Sequence, residues 1–414
     1  MSKYLPRLRS ALDIMPSPVQ DRPGLVLRDP LRYSEDVLLI PQEWIPVLSC
    51  LDGNHTELDV QTLLVRQSGG ELVFSQHVQE FVSLLKSRGF LETEEFEELQ
   101  RKRHAEFRES RERLPAHAGG AYPEDPQELR DVLDEHFNTN MTSDGRSREK
   151  TLGVGAPHVS LEGAWDSYAA AYGRLGAWSG GNKTVVILGT SHYGQPDRFG
   201  LTAKTFVTPL GPVDVDEEAV DFLATRAPDA VTMDDYCHVT EHSIEFQVLF
   251  LRYRLGAPVK ILPILCGPFL ESLNVGNRPE RNERLAPFFG ALAELASRRE
   301  QDLVWVLGID LSHMGRRYGD PFAARAGAGP MIQVESQDRE RLARVCDNDM
   351  QGFLDLVQPQ ADGLKWCGFT PLYTFLASLK PIMNIRGRVL QYEQWNIDPE
   401  SVVTFAGLEF FVKE

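Results

Sequence analysis

Three histidines of this 414-residue chain stand just beyond apolar runs that read as buried strands. His158 follows "TLGVGAP", His192 follows "TVVILGTS", and His313 closes the stretch that begins "DLVWVLG". Loops at the carboxyl ends of parallel strands are where open α/β sheets collect ligand-contacting residues. One such histidine says little, but three after three strands of one sheet would meet on one edge. Imidazole is the commonest metal ligand and a general base near neutral pH. Cys367, in "KWCGFTPLYTFLASL", precedes a helix for which Thr370 and Pro371 suit the N-cap and first turn. A cysteine there has a stabilised thiolate, the form that binds metal or attacks; a buried inert thiol is the alternative. His242 and Glu245 are three apart in "EHSIE", on one helix face, and Asp310 and His313 are three apart in "DLSH". Each pair mixes a carboxylate with an imidazole, which suits orientation of metal ligands or acid–base work, with structural capping as the alternative for Asp310. Cys50, Cys237, Cys266 and Cys346 are scattered, and the chain has no CxxC pair, so a structural zinc ribbon is not expected.

The elements that must position these residues begin at 151. Strand candidates "TLGVGAP", "TVVILG", "KILPILC", "DLVWVLG", "RGRVLQY" and "SVVTFAGLEFFV" alternate with helical patterns such as "WDSYAAAYGRLGAW", "DEEAVDFLATRA", "SIEFQVLFLRYRLG" and "RLAPFFGALAELASRR". This alternation predicts an α/β domain with a central, mostly parallel sheet flanked by helices. Residues 1–92 form a separate unit. "GLVLRD" and "DVLLIP" read as strands, and "PQEWIPVLSCLDG", "ELDVQTLLVRQSGG" and "SQHVQEFVSLLKSRGFLE" as short helices, the last with Val78, Phe81, Leu84 and Leu85 on one face. Three short helices with strand-like flanks predict a small winged-helix domain. Residues 93–114 are nearly all charged, acidic first and basic later, as in a solvated connecting helix. The second domain is expected to run from 115 to 414, with an exposed loop at 140–150.

The net charge is −17 with no basic stripe, so no electrostatic footprint for nucleic acid or an anionic membrane is present. No run of about 18 apolar residues appears, so no membrane span is expected. The five cysteines are odd in number and scattered, which favours a reducing, cytoplasmic setting. The first 24 residues lack the apolar segment of a secretory signal.

The motifs "HAGGAYP", "APH" at 156–158, "GTSH" at 189–192, "EHSIE" at 241–245, "DLSHMG" at 310–315 and "CGFTP" at 367–371 together resemble the Memo-like family, the B component of the AmmeMemoRadiSam set. The resemblance covers about 300 residues from 115 onward, and its motifs stand in family order. It implies a fold like that of the class III extradiol dioxygenases, with a metal site at the sheet edge. Carried over residue by residue, the metal ligands fall on His158, His192 and Cys367. Asp310 and His313 would share the pocket, lined by His242 and Glu245, with His313 or His242 moving protons and Asp310 orienting His313. A radical SAM protein and an AMMECR-like protein are the implied partners. The chain departs from the family pattern where Val159-Ser160-Leu161 follow His158, at Tyr193 after His192, and in "QYEQWN" near the C-terminus. These changes leave the three ligands in place and alter the pocket wall.

"LSCLDGNHTELDVQTLL" followed by "VQEFVSLLKSRGFL" resembles the PqqD-like domains, which implies capture of a peptide by strand addition. Two imidazoles and a thiolate leave at least one position open on an ion. That set suits non-haem iron first, with copper or zinc as alternatives. The first expectation is therefore a metal-dependent oxidoreductase acting on a peptide or protein delivered by the N-terminal domain. A non-catalytic metal-binding or scaffold protein is the second, since a shared fold does not fix an activity.

Overall fold

The structure, a computed structural model, describes residues 4–17, 21–69, 74–140, 150–175, 183–256, 259–274, 276–299, 302–358 and 362–413. The loop expected at 140–150 lies, apart from its two ends, outside the described residues. The chain divides into two compact units, Met1–Glu109 and Ser110–Glu414.

The first unit begins with a three-stranded antiparallel sheet in chain order: β1 (Asp13–Pro16), β2 (Gly24–Arg28) and β3 (Val37–Pro41). Helices α1 (Ile45–Leu48), α2 (Glu57–Gln67), α3 (Ser75–Ser87) and α4 (Glu94–Glu109) follow. The first predicted helix is a 3-10 turn, Gln42–Trp44, that runs into the single α-helical turn α1. Pro46 fits only a first helical turn, because it offers no N–H to a preceding one, and Asn54 N–H turning back to the Asp52 carboxylate closes the segment. α2 opens on a capping box in which Thr56 and Asp59 exchange side-chain and backbone bonds. On α3, Val78 and Leu85 are buried while Leu84 is 42% exposed, since it falls roughly 120° around the helix from Val78. The charged helix is also shorter than expected and belongs to this unit: Phe96 packs edge-on against Tyr33, and Arg9 lies over the Phe96 ring.

The second unit contains β4 (Glu112–Arg113), α5 (Pro126–Asn140), β5 (Thr151–Ala156), α6 (Trp165–Gly173), β6 (Thr184–Thr190), β7 (Phe199–Leu201), β8 (Thr205–Thr208) and β9 (Gly211–Val213). It continues through α7 (Glu217–Arg226), β10 (Val231–Thr232), α8 (His242–Leu255), β11 (Lys260–Cys266), α9 (Leu270–Asn274), α10 (Ala286–Arg298), β12 (Leu303–Gly308) and β13 (His313–Gly315). It ends with α11 (Pro330–Cys346), α12 (Met350–Asp355), α13 (Phe369–Leu379), β14 (Ile385–Asp398) and β15 (Ser401–Val412). Because Arg113 pairs with Phe206 of β8, this unit starts a few residues before the expected Pro115.

Its large sheet runs β10-β7-β11-β6-β12-β5-β15-β13, with β14 on the other edge of β15. The centre, β11-β6-β12-β5, is parallel, and every residue of β6 and β12 is buried. Continuous apolar runs of this kind mark strands covered on both faces. Trp305 meets Phe375 of α13, and Gly308, three residues on and so on the other face, meets α8. Gly189 and Gly308 are register partners, and a Cβ on either would collide with Ser243 or Ile244 at the start of α8. These two glycines let the first turn of α8 sit on the carboxyl end of the sheet. β15 shares one edge between two neighbours, pairing with β5 through Leu408–Phe411 and with β13 through Ser401–Val403. The chain leaving β12 therefore crosses the end of β5, with Ile309 N–H bonded to Ala156 and Leu311 N–H to Thr404.

A chain beginning at Ser110 should remain folded, with one cooperative thermal transition and the helix and strand content of the α/β unit by circular dichroism. Aggregation of that chain under conditions where the full protein is soluble would contradict the division.

Candidate metal centre

Three strand ends and two helix starts converge at one edge of the sheet. His158 lies two residues past β5, His192 two past β6 and Asp310 two past β12. His242 opens α8, and Cys367 directly precedes Gly368, the cap of α13. Cys367 Sγ stands 3.3 Å from His158 Nε2, and an Asp310 carboxylate oxygen 3.6 Å from the same nitrogen. The rings of His158, His192 and His242 are mutually adjacent, with centroids 5.2, 5.2 and 4.8 Å apart. Two compact sets share His158: His158, His192 and His242, and His158, Asp310 and Cys367, each with its ligand atoms within 4.8 Å of one another. The expected set of His158, His192 and Cys367 spans the two. His158 is the floor at 1% exposure, while the side chains of His192 and His242 are each 27% exposed and face the opening.

The backbone and a second ring of side chains fix this arrangement. His158 Nδ1 donates to the Gly308 carbonyl at 3.0 Å, which leaves Nε2 as the nitrogen that faces Cys367. Asp310 is held by the N–H groups of His158 and Val159, and Cys367 by Thr190 Oγ1, which donates to its carbonyl. Gly368 N–H donates to the Asp310 carbonyl, and a Cβ at Gly368 would lie 2.6 Å from that oxygen. That close approach requires glycine at this cap, and α13 starts at Phe369, two residues before the start that a Thr370 cap would give; the Thr370 hydroxyl instead donates to the Cys266 carbonyl.

Sequence reasoning missed Glu241 as a functional residue. Its carboxylate, buried at 1% exposure, accepts from His192 Nδ1 and N–H and from Ser243 N–H, and lies 3.4 Å from His242 Nδ1. It caps α8 and orients two imidazoles at once, the arrangement that fixes tautomer at metal-ligating histidines. The available signal was the acidic residue at the helix cap immediately before a histidine. Arg113 was missed as well: its guanidinium donates to the His238 and Glu241 carbonyls and pairs with Glu245, steadying the turn that presents Glu241.

One expected pocket residue, Glu245, is turned away from the cluster. Glu245 is 2% exposed and engaged by Arg113, by the N–H groups of Ala116 and His117, and by the Tyr122 hydroxyl. Every acceptor direction of its carboxylate is turned toward the chain that precedes α5, so it buttresses rather than lines the cluster. His313 is the first residue of β13 rather than a loop residue. Its Nδ1 faces the Leu311 and Lys365 carbonyls, and its ring meets Tyr318 edge-on. Asp310 bonds the His158 backbone rather than the His313 ring, so the expected orienting role falls to those two carbonyls.

Burial raises the cost of every charge here, and the neighbours decide the outcome. Burial alone would push the Cys367 thiol up, but the imidazoles of His158 and His192 outweigh it and hold the thiol below its usual range. Burial disfavours charge on His192 too, yet Glu241 and Cys367 overcome it and raise its pKa. His242 is lowered by burial and by His192. Burial lifts Asp310 to about 6 against the pull of His313. Low-pKa thiol, oriented imidazoles and a nearby carboxylate form a donor set that fits a transition metal.

The fold and site define a mixed α/β protein with an imidazole, thiol and carboxylate cluster at the carboxyl edge of its sheet. The chain belongs to the Memo-like family, whose model, described as Memo-like protein, matches residues 113–409. It is similar to a MEMO1 family protein of Aquifex aeolicus, 28% identical over 93% of this chain and 96% of that one. It is also similar to a MEMO1 family protein of Thermococcus kodakarensis, 30% identical over 72% of this chain and 99% of that one. The Thermococcus protein is matched almost whole by part of this chain. Among solved structures, an uncharacterized protein of Escherichia coli K12 aligns over 62% of this chain and 98% of its own at 12% identity, with a TM-score of 0.36.

Proposed function

We propose that this edge is a metal centre in which His158, His192 and Cys367 hold the ion, with iron as the resident metal and copper or zinc as the competing ones. The observation that carries the reading is the pairing of Cys367 Sγ with Nε2 of His158, beside two further imidazoles oriented by one buried carboxylate. An ion held there supplies a Lewis-acidic or redox-active centre with an open position. Among this chain's residues, Asp310 and His242 stand where they can hold or move a proton next to that position, and His313 lies behind them, tied to backbone carbonyls. The reaction we infer is an oxidation of a peptide or protein, in a fold of the class III extradiol dioxygenase type. In this scheme the first unit is a PqqD-like winged-helix module that captures the peptide, and a radical SAM protein and an AMMECR-like protein are the partners. All five cysteines are free thiols, which supports a reducing, cytoplasmic setting. Among the described residues no helix is long and apolar enough to cross a membrane.

Oxygen uptake by the iron-loaded protein tests the catalytic part. Peptide-dependent consumption that disappears in His158→Ala is expected. Consumption unchanged by any peptide would leave a non-catalytic metal-binding protein. His313→Gln should retain the metal content of the wild type while slowing that uptake. Metal loss in His313→Gln equal to that of His158→Ala would make His313 a ligand.

A further inference from the structure

Helix α11 carries two buried charged side chains, Asp338 and Arg341, that the reading above leaves unused. The Asp338 carboxylate has no exposure and accepts four hydrogen bonds from four separate segments. Its Oδ1 accepts from Ser312 Oγ at 2.5 Å and Trp366 Nε1 at 2.7 Å. Its Oδ2 accepts from Thr404 Oγ1 at 2.6 Å and Tyr392 OH at 2.9 Å. Four donors on two oxygens are satisfied by the acceptor-only, ionised form. Two of these donors belong to the chain segments that build the candidate centre. Ser312 lies between Asp310 and His313, and Trp366 directly precedes Cys367.

Arg341, three residues further along the same helix, holds the second of these segments as well. It donates to the Asp362 carboxylate at 2.7 Å and to the Leu356 carbonyl at 3.0 Å, with its guanidinium 5.3 Å from the Trp366 ring centroid. Asp362 in turn accepts from the Trp366 N–H at 2.7 Å. Asp362 and Lys365 both have left-handed backbones, with φ of 50° and 55°, a conformation that persists only where surroundings enforce it. A buried carboxylate among neutral hydroxyl and indole donors is costly, and apolar packing at such a position is often no less stable. What apolar packing could not do is tie the Ser312 and Trp366 segments to a single point.

We propose that Asp338 is the positioning residue of this centre, with Arg341 as its support. One carboxylate sets the register between segment 310–313 and the loop ending in Cys367, so that Cys367 and Asp310 meet His158 at fixed distance. This rests on the metal-centre reading above.

Cobalt(II) titration of the full chain tests it, because thiolate-to-cobalt charge-transfer absorption reports Cys367 at the ion without any activity assay. The wild type should show the band and Cys367→Ser should lack it. Asp338→Asn should bind Co²⁺ about 10-fold more weakly, the lower end of what changing direct partners of metal ligands does, with the band weakened or shifted. Trp366→Phe keeps an aromatic ring but deletes the Nε1 donor and part of the ring volume, so it should weaken Co²⁺ in the same direction by a smaller factor. It carries the test if Asp338→Asn does not fold. Wild-type Co²⁺ affinity and band in both variants would overturn the positioning role, even if their melting temperatures fell. A wild type without the band would instead overturn the metal-centre reading, and the positioning role with it.

Discussion

Glu245→Ala lowers the stability of the Ser110–Glu414 unit by about 3–5 kcal/mol, the cost of removing one partner from a buried ion pair. Arg113 is 1% exposed, and its guanidinium would be left without its only paired carboxylate among the described residues. Ala116, His117 and Tyr122 would lose their acceptor at the same time. Glu245→Gln keeps the shape and part of the bonding, so a smaller loss is expected. The effect depends on pH with a definite sign. Burial pushes the Glu245 carboxyl up, but Arg113 and His117 prevail and hold its folded pKa below the ordinary value. Its stabilisation is therefore complete above the unfolded pKa of about 4.3 and lost as pH falls through the lower folded value. The gap between wild type and Glu245→Gln should narrow on acidification. Urea unfolding of both proteins across that range measures it, and a loss below about 1 kcal/mol for Glu245→Ala at neutral pH would put the pair among weak surface contacts.

Cys367→Ser should weaken copper(I) and zinc binding more than iron(II) binding. A thiolate adds covalency and favours soft or borderline ions, whereas the hydroxyl that replaces it is a hard ligand. The loss for copper(I) should exceed the roughly 10–100-fold typical of changes outside the first ligand shell. His158 Nε2, 3.3 Å from the sulfur, would remain to hold a hard ion together with His192 and water. The same thiol is held below its usual range by its two imidazole neighbours, so it is the most oxidisable group at the site, and air exposure should inactivate the wild type. Competition titrations with the three metals on both proteins decide the matter. Equal losses for all three would remove the softness argument, and no loss would return Cys367 to a buried, inert thiol.

Much of this architecture was legible because its signals are local. β6 and β12 are continuous apolar runs, which is how strands covered on both faces must read. The positions of His158 and His192 followed from the strands they terminate. What the sequence concealed was held by distant partners. His313 is in a strand only because Val403, ninety residues later, is its register partner. Arg113 sits in the run "RESRERL", where nothing separates the arginine that will be buried from those that stay in solvent. Glu245 was placed at the pocket by the family resemblance; helical spacing puts it on the His242 face without saying which neighbour covers it. The glycine cap of α13 turned on the approach of Gly368 to Asp310, a contact across more than fifty residues.

The most direct test is metal analysis of the full chain purified without oxygen, beside His158→Ala, His192→Ala and the combined His158→Ala/His192→Ala/Cys367→Ser variant. About one ion per chain is expected in the wild type, with sharp loss in each single variant and none bound in the combined one. A wild type that holds no metal and takes up neither Fe²⁺, Cu⁺ nor Zn²⁺ on titration, or a combined variant that binds as the wild type does, would contradict a metal centre at this edge.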